Sequence, residues 1–388
     1  MKSTLRLKLG NLLDVPALFL KLGATAFGGS AVHISLMEQE AVVRRGWLSR
    51  EEFLDLVGVV NMIPGPKSTE LALFLGYRRA GFAGLLLAGI CFILPAALIV
   101  SVIAWAYVKF GKMAEMRGVF YGVKPIIIAV IVQAIWKLGR TAVRTPILAV
   151  IGVGAAALSS FGANPLLVFL FAGLLTAAIH LAAKRRQAAA SLAPFLGKGA
   201  AVPLAAAAAT PFNVWAMTLL FLKTGCLLFG GSYVLLAFLH ADLFGQRHWL
   251  TESQLLDAVA AAQFSPGPVL TTVTFTGYLL GGPKAALLAT AAILLPAFVL
   301  VAASGPIVTH IRKSPLAGAV LDGMNIAALA LVAVVAWQLG RAALVDWLTI
   351  TLAVAAAIWL LRYRVNSTWL LLGGAALGLA RFVFQTNP

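Results

Sequence analysis

The sequence FLKLGATAFGGS at positions 19–30 recurs as FLKTGCLLFGGS at positions 221–232, so that both copies end in Phe-Gly-Gly-Ser. A Pro-Gly-Pro motif at 64–66 returns at 266–268 with the same offset of 202 residues. Rare residues that keep one register over such a distance indicate an internal duplication. The chain therefore consists of two homologous repeats, and each repeat carries one copy of both motifs.

The composition places both repeats in a membrane. Of the 388 residues, 61% are hydrophobic and 11% are charged, and the mean hydropathy is +0.96, whereas soluble proteins have about 25% charged residues. Apolar stretches of about 20 residues, enough to cross a bilayer, recur along the chain. We predict an all-α polytopic membrane protein with about five to six membrane segments per repeat. The repeats are assigned to 1–183 and 211–388, with a linker at 184–210.

The net charge of +17 would suggest a nucleic-acid partner in a soluble protein. Here much of the excess lies at segment ends, where cytoplasmic loops of membrane proteins collect Lys and Arg. We therefore predict the lipid bilayer and an anionic substrate as partners, and no nucleic acid. The sequence leaves the oligomeric state open, with a homodimer as one option.

The two motifs interrupt apolar stretches in corresponding places of the two repeats. Proline removes a backbone donor and clashes with the preceding turn, so Pro-Gly-Pro ends a helix. Free backbone groups at membrane depth are tolerated only where they are buried in protein or line a polar cavity. Because matched broken helices point to the substrate site of a transporter, we predict broken or re-entrant helices at these four places. Ser49 with Glu52, and Thr251 with Gln254, predict capping boxes that open the helices leading to Pro-Gly-Pro.

The helices that restart after the breaks present free N–H groups and positive dipole ends, which suit an oxyanion. In the first repeat, the predicted substrate-binding residues are Lys21, Gly28, Gly29, Ser30, Asn61, Pro64, Gly65, Pro66, Lys67, Ser68 and Thr69. In the second repeat, they are Lys223, Gly230, Gly231, Ser232, Gln263, Ser265, Pro266, Gly267, Pro268, Thr271 and Thr272. The alternative is that the prolines only shape helix packing and that the hydroxyls satisfy freed carbonyls. In that case Lys21 and Lys223 reach toward the membrane interface.

Some ionisable residues in apolar stretches have no charged counterpart in the other repeat. Lys67 aligns with Val269, and Glu70 aligns with Thr272. Glu70 is one turn from Lys67, so it can pair with that lysine or carry a coupling proton. Lys124, which aligns with Asn325, is a weaker candidate of the same kind.

Other classes of site find no support in the sequence. Cys91 and Cys226 lie in apolar segments, and there is no His cluster with metal-ligand spacing. We predict neither a metal site nor a cofactor. No nucleophile and base are arranged for catalysis, so an enzyme is not expected.

Several motifs resemble those of the chromate ion transporter family in its long bacterial form with two domains. They are the Phe-Gly-Gly segments, RRGWL at 44–48, STELA at 68–72 after Pro-Gly-Pro, GYRRAG at 76–81 and Leu-Pro at 94–95. The resemblance implies a secondary transporter in the inner membrane that exports chromate, has sulfate as a structural analogue and confers chromate resistance. The sequence departs from the family pattern at Ser30 and Ser232, where proline is usual, and at Lys67, where threonine is commoner.

The sequence leaves topology and direction open. If only the Pro-Gly-Pro segment doubles back, the repeats are inverted. If that segment spans the membrane, or if the Gly-Gly segment doubles back too, counting crossings makes the repeats parallel. Basic residues at 184–186 favour a cytoplasmic linker and parallel repeats. Known transporters favour inversion, which we expect here. An importer of sulfate or another anion, and a membrane receptor or scaffold that transports nothing, remain alternatives to the exporter.

Overall fold

A computed structural model describes residues 2–111, 113–188, 211–311, 315–363 and 365–386. Within these residues the chain forms fourteen α-helices and no β-strand, and most of the predicted linker 184–210 lies outside them. The first repeat contains α1 (Lys2–Thr25), α2 (Ser30–Glu38), α3 (Arg50–Val60), α4 (Lys67–Phe110), α5 (Ala114–Ala142), α6 (Pro146–Ser160) and α7 (Pro165–Ala188). The second contains α8 (Val214–Cys226), α9 (Val234–Leu239), α10 (Glu252–Phe264), α11 (Thr272–Ile311), α12 (Pro315–Ala343), α13 (Trp347–Ile358) and α14 (Ser367–Thr386).

Each helix of the first repeat has its counterpart seven helices later, as the duplication predicts. Short π-helical stretches extend α2, α9 and α13, at Gln39–Arg44, His240–Gln246 and Trp359–Tyr363. Among the described helices, α4, α5, α7, α11, α12 and α14 are long and apolar enough to cross a membrane. The prediction of an all-α polytopic membrane protein is confirmed.

The longest helices, α4 and α11, are each folded into a hairpin. The backbone leaves helical geometry at Ala80–Gly81 and again at Gly281–Gly282, where the second glycine has a φ of 73°. The hydroxyls of Thr274 and Thr290 lie 2.7 Å apart, although sixteen residues of straight helix would separate them by about 24 Å. In α4 a Cβ added to Gly76 would overlap the carbonyl of Gly84, so this helix turns back in the same way and has a first arm at 67–79 and a second arm at 82–110.

The Pro-Gly-Pro motif of the first repeat is the tip of a re-entrant hairpin made by α3 and the first arm of α4. Arg78, at the end of that arm, forms a 2.7 Å ion pair with Glu52 in the first turn of α3. The two ends of the hairpin therefore lie at one face of the protein. Both predicted capping boxes are present, at Ser49 with Glu52 and at Thr251 with Gln254, and they start α3 and α10.

The Phe-Gly-Gly motif is the tip of a second re-entrant hairpin, made by α1 and α2. Lys21 in α1 pairs with Glu40 beyond the end of α2 at 2.8 Å, which requires the chain to reverse between them. The second repeat has the same pair at 2.8 Å, between Lys223 and Asp242. Both kinds of break are thus hairpin tips that reach into the protein from its faces.

The hairpins of the two repeats enter from opposite ends of the second arm of α4. This arm starts beside the Arg78–Glu52 pair, and near its far end Tyr107 donates a 2.9 Å hydrogen bond to Asp257 in the first turns of α10. The 25 residues from position 82 to position 107 span about 37 Å at the helical rise of about 1.5 Å per residue. The repeats are therefore inverted with respect to each other, as expected.

With two hairpins in each repeat, the count of membrane crossings predicts parallel repeats, and this prediction is wrong. The reason is that some helices do not count as whole crossings. α6 has 15 residues and is about 22 Å long, which is less than the roughly 30 Å of the hydrocarbon core.

The helices of the two repeats interleave. α5 packs against α13 and α14 of the second repeat, and α12 packs in the same way against α6 and α7 of the first. At the crossing of α5 with α14 a Cβ added to Gly122 would overlap the backbone of Gly374. Glycine at such positions lets two helix backbones approach closely within a membrane.

Candidate functional site

The four helix breaks meet in two pairs, and each pair joins one repeat to the other. The Gly65 N–H, in the first Pro-Gly-Pro, donates to the carbonyl of Leu228 beside the Phe-Gly-Gly of the second repeat, at 3.0 Å. The Gly267 N–H donates in the same way to the carbonyl of Ala26, also at 3.0 Å. Each Pro-Gly-Pro tip is thus bound to the Phe-Gly-Gly tip of the other repeat. The structure thus joins the four predicted breaks in two pairs, each made of one motif from either repeat.

The site lies about halfway along the second arm of α4. A Cβ at Gly267 would lie 2.9 Å from the Cβ of Ala96, which is near the centre of that arm. Both motif glycines are required by their backbone, since φ is 153° at Gly65 and 108° at Gly267. At Gly65 an added Cβ would also overlap the carboxyl group of Glu70, which lies against the tip.

The first turn of α4 holds polar side chains that nothing in the described chain satisfies. Ser68, Thr69 and Glu70 are all 0% exposed, and neither hydroxyl nor either carboxyl oxygen has a hydrogen-bond partner among the described residues. The backbone amides of Thr69 and Glu70 are bonded to the carbonyl of Pro66. Those of Lys67 and Ser68 begin the helix, where amides lack a carbonyl one turn back. Buried polar groups without partners are costly, which marks a place built for a ligand or for water.

The corresponding turn of the second repeat differs, because its hydroxyls are satisfied locally. Thr271 donates to the carbonyl of Pro268 at 3.2 Å, and Thr272 donates to that of Val269 at 2.7 Å. Ser265 donates to Ala262 at 3.0 Å. Here the packing alternative, in which hydroxyls satisfy freed carbonyls, describes the structure. The two halves of the site are therefore unequal, and the first repeat has the unsatisfied groups.

Two further predicted residues bridge the first Pro-Gly-Pro tip. The ammonium of Lys67 donates to the side-chain oxygen of Asn61 at 2.9 Å, across the loop between α3 and α4. Lys67 also interacts electrostatically with Glu70. In the second repeat the equivalent Gln263 donates instead to the hydroxyl of Tyr233 at 2.9 Å.

The glycine-rich tips border open space. A Cβ built at Gly29 or at Gly231 would meet no atom within 4 Å. Ser30, which follows Gly29, is half-buried, and Ser232 is buried. Ser30 is thus more exposed than its counterpart Ser232.

Lys21 and Lys223 are placed in ion pairs rather than left free beside the breaks. Each lysine is bound by a buried carboxylate, Glu40 or Asp242, while about half of the Lys21 side chain (51%) stays exposed. Glu40 also contacts Arg44 at 2.7 Å. The hydrogen bond from Lys21 holds the pKa of Glu40 below its ordinary value, and its charge attraction adds to the shift.

The sequence reasoning missed both of these carboxylates. Glu40 and Asp242 are separated by the repeat offset of 202 residues, so the register could have found them. They fasten the α1–α2 hairpin and its counterpart, which hold the Phe-Gly-Gly tips.

His33 is a third residue near the breaks that the sequence did not single out as a site. It is 1% exposed, and its Nε2 lies 3.0 Å from the carbonyl of Ala26, the same oxygen that accepts from Gly267. A carbonyl only accepts, so Nε2 carries a proton. Its counterpart is Leu235, which again makes the first repeat the more polar one. Among the described residues no three His, Cys, Asp or Glu side chains come together as metal ligands.

Comparison with known proteins identifies the family. The model of the family "Chromate transporter" matches twice, over residues 13–177 and 215–379. The "Chromate transport protein" of Cupriavidus metallidurans is 31% identical, over 92% of this chain and 90% of its own. The "Probable chromate transport protein" of Synechococcus elongatus is 33% identical, over 88% of this chain and 87% of its own. The "Chromate transport protein" of Pseudomonas aeruginosa is 34% identical, over 73% of this chain and 70% of its own. No solved structure gives a significant match. With two matched repeats and relatives along most of its length, the chain belongs to the chromate transporter family.

Proposed function

We propose that this protein is a secondary transporter that exports chromate, or a related tetrahedral oxyanion such as sulfate, across the bacterial inner membrane and so confers chromate resistance. The observation that carries the proposal is the first turn of α4, where the hydroxyls of Ser68 and Thr69 are buried without partners among the described residues, directly after the Pro-Gly-Pro tip that docks on the other repeat. The names of the relatives support chromate as the substrate.

The chemistry of this turn suits an oxyanion. Chromate and sulfate each present four acceptor oxygens and a double negative charge. The two hydroxyls and the amides of Lys67 and Ser68 are donors, and the start of α4 adds the positive end of a helix dipole. The ammonium of Lys67, which here is bound to Asn61, is within one turn and supplies a full charge. These groups can replace the water that the anion loses on entering the membrane.

Glu70 is the candidate for coupling the transport to protons. Its carboxyl group is 0% exposed, lacks a hydrogen-bond partner among the described residues and lies against Gly65 at the docked tip. A buried carboxylate in this situation needs a proton or a cation nearby. Because Lys67 is the neighbouring cation, an oxyanion that binds Lys67 leaves Glu70 to be neutralised by a proton. Substrate and proton would then be linked through one lysine.

The arginine distribution supports a direction for the two entrances. The entrance of the first repeat carries arginine at positions 44, 45, 50, 78 and 79, and the equivalent residues of the second repeat are Gln246, Arg247, Glu252, Leu279 and Leu280. Since cytoplasmic faces are rich in Lys and Arg, this contrast between the entrances leads us to place the first in the cytoplasm and the second outside, although the basic residues at 184–186 favour a cytoplasmic linker before the second repeat. The unsatisfied turn of α4 belongs to the hairpin that enters from the cytoplasm, which suits loading from that side.

The test is the flux of labelled chromate and labelled sulfate in vesicles of known orientation, with an imposed proton gradient. We expect gradient-driven accumulation in inside-out vesicles. Lys67→Thr should raise the half-saturating concentration by about tenfold, the effect of losing one charged hydrogen-bond partner. The control is Lys137→Thr at an exposed lysine of α5, which makes the same charge change and should leave the flux unaltered.

Three outcomes would count against the proposal. If neither anion moves in either orientation, the protein is not a transporter of this class. If accumulation occurs only in right-side-out vesicles, the protein is an importer. If Lys67→Thr and Lys137→Thr behave alike, Lys67 is not part of the site.

A further inference from the structure

A cavity of about 320 Å³ lies at the far end of α4, well away from the docked helix breaks. Its polar wall comes from three helices: Tyr107 on α4, Tyr121 and Lys124 on α5, and Ser253 and Asp257 on α10. Its volume is that of a small-ligand pocket, for which about 300–1,000 Å³ is usual. In the orientation proposed above it opens on the outer side of the membrane.

Lys124 is held in this cavity by an internal carboxylate. Its ammonium lies 3.2 Å from one oxygen of Asp257 and 2.6 Å from the hydroxyl of Ser253. The other oxygen of Asp257 accepts from Tyr107 at 2.9 Å. Both charges are mostly shielded from solvent, with 19% of the Lys124 side chain and 4% of the Asp257 side chain exposed. An ammonium has three donors, so one of them remains for another acceptor.

The other charges near the cavity are satisfied by each other. Arg381 pairs with Asp346 at 2.9 Å, and both are hydrogen-bonded to the hydroxyl of Tyr121. The backbone amide of Thr349 also donates to Asp346, which caps α13. Lys124 is therefore the cation of this wall that a mobile anion can reach. Its counterpart in the other repeat is Asn325, so the arrangement is not duplicated.

We propose that this cavity is a second subsite for the transported oxyanion, in which the anion competes with Asp257 for Lys124. The proposal rests on the proposed function and adds to it a station on the outer side of the path. An oxyanion offers Lys124 the same kind of oxygen that Asp257 offers, and the hydroxyl of Ser253, which accepts from Lys124, still has its own hydrogen to donate to it. Asp257 keeps the hydrogen bond from Tyr107 while its lysine is taken. The carboxylate of Asp257 thus pairs with Lys124 when no anion is bound.

The competition predicts opposite effects for the two charged residues. Lys124→Gln removes the cation, so oxyanion binding at the subsite should weaken by about tenfold, as expected for loss of a charged partner. Asp257→Asn removes the competitor and keeps the shape, so binding should strengthen by several-fold. A merely structural ion pair predicts that both variants weaken binding and destabilise the protein alike.

The experiment uses a cysteine at position 253 as a local reporter. Ser253→Cys is placed in the full chain with Cys91→Ala and Cys226→Ala, which remove both native thiols. The rate of modification by a water-soluble methanethiosulfonate is measured against sulfate concentration, with chloride at equal ionic strength as the reference. We expect sulfate to protect the cysteine, Lys124→Gln to abolish protection at the same concentration and Asp257→Asn to lower the sulfate required. Lys109→Gln is the matched control, since this exposed lysine near the end of α4 packs on Trp105.

A second measurement keeps the proposal testable if the reporter cysteine disturbs the site. Sulfate flux is measured with sulfate on the outer face, and Lys124→Gln should raise its half-saturating concentration while Lys124→Arg restores it. Flux in the parent protein without any protection, or protection that is the same in Lys124→Gln, would overturn the subsite and leave the proposed function intact. Protection without flux would overturn the proposed function instead. Loss of protection in Asp257→Asn would overturn the competition.

Discussion

Thr69 and Thr271 are repeat partners whose hydroxyls differ in hydrogen bonding, and this difference can be measured. Both side chains are buried, at 0% and 2% exposed. The hydroxyl of Thr271 donates to the carbonyl of Pro268 at 3.2 Å, whereas that of Thr69 has no partner among the described residues. Valine replaces the hydroxyl by a methyl group of similar size. The pair Thr69→Val and Thr271→Val therefore compares an unsatisfied hydroxyl with a satisfied one at equivalent positions of the two repeats.

The two substitutions should change stability in opposite directions. A buried hydroxyl without a partner costs about 1–3 kcal/mol, so Thr69→Val should stabilise the protein by roughly 1–2 kcal/mol. Thr271→Val loses a hydrogen bond worth about 1 kcal/mol. The carbonyl of Pro268 keeps the Thr271 amide as its donor, at 3.1 Å, so the loss should stay near that value. We expect the free energies of unfolding of the two variants to differ by about 2–3 kcal/mol.

The assay is the unfolding temperature of the purified protein in detergent, followed by tryptophan fluorescence at one fixed scan rate, because membrane proteins often unfold irreversibly. Thr69→Val should unfold above the parent protein and Thr271→Val below it. Oxyanion flux should move the other way, with a loss in Thr69→Val and near-normal flux in Thr271→Val. A Thr69→Val protein that unfolds below the parent would show that the hydroxyl has a partner in the resting state, and the argument for an empty anion site at this turn would fail.

Three other outcomes follow from single contacts. Gly65→Ala should lower the unfolding temperature, because φ is 153° there and the new Cβ overlaps a buried carboxyl group, a strain of about 1–3 kcal/mol; Gly29→Ala, where a Cβ meets nothing within 4 Å, should not. Glu40→Gln should destabilise the protein at pH 7 by roughly 1 kcal/mol, since its cationic partners are about half exposed. Because the pKa of Glu40 is lowered in the folded protein, its contribution to stability is fully present above the ordinary glutamate pKa of about 4.3 and is lost as the pH falls through the lowered pKa. The difference in stability between Glu40→Gln and the parent should therefore vanish in acid. Gly122→Ala should destabilise the contact of α5 with α14, whereas Gly373→Ala, which faces open space, should leave the unfolding temperature unchanged.

The duplication, the membrane location and the four breaks could be predicted because they rest on local chemistry. Proline within Pro-Gly-Pro prevents a continuous helix wherever the segment lies. The capping boxes at Ser49 and Thr251 depend on residues three positions apart, and they are formed as expected. Such features are fixed by neighbours along the chain.

The path of the chain between these features could not be derived in the same way. Whether a broken helix continues or turns back depends on which side chains meet across tens of residues, as Arg78 and Glu52 do. The hairpin within α4 turns at Gly81, where no proline marks the sequence. Counting crossings assumed that each apolar helix is one complete passage, and α6 is too short for that.

The same contrast between local and long-range contacts decides which features of the site could be predicted. The polar turn at Ser68 and Thr69 was predicted from the break before it, and its asymmetry follows from Lys67 and Glu70, which the other repeat lacks. The pairing of Lys21 with Glu40, and of Lys124 with Asp257, joins residues from different helices. Only folding brings those partners within reach, so the sequence could list the lysines but not what holds them.

The two hydrogen bonds that join each Pro-Gly-Pro tip to the Phe-Gly-Gly of the other repeat have a consequence for biogenesis. Until the second repeat is inserted, the Gly65 amide lacks its partner inside the bilayer, where a missing hydrogen bond costs several kcal/mol, whereas the Ala26 carbonyl keeps the hydrogen bond from His33. Each repeat thus supplies a backbone hydrogen-bond partner that the other repeat needs. A single repeat expressed alone would need a second copy inserted in the opposite orientation to complete the same hydrogen bonds. Covalent fusion of the two repeats provides one repeat in each orientation, at a ratio of one to one.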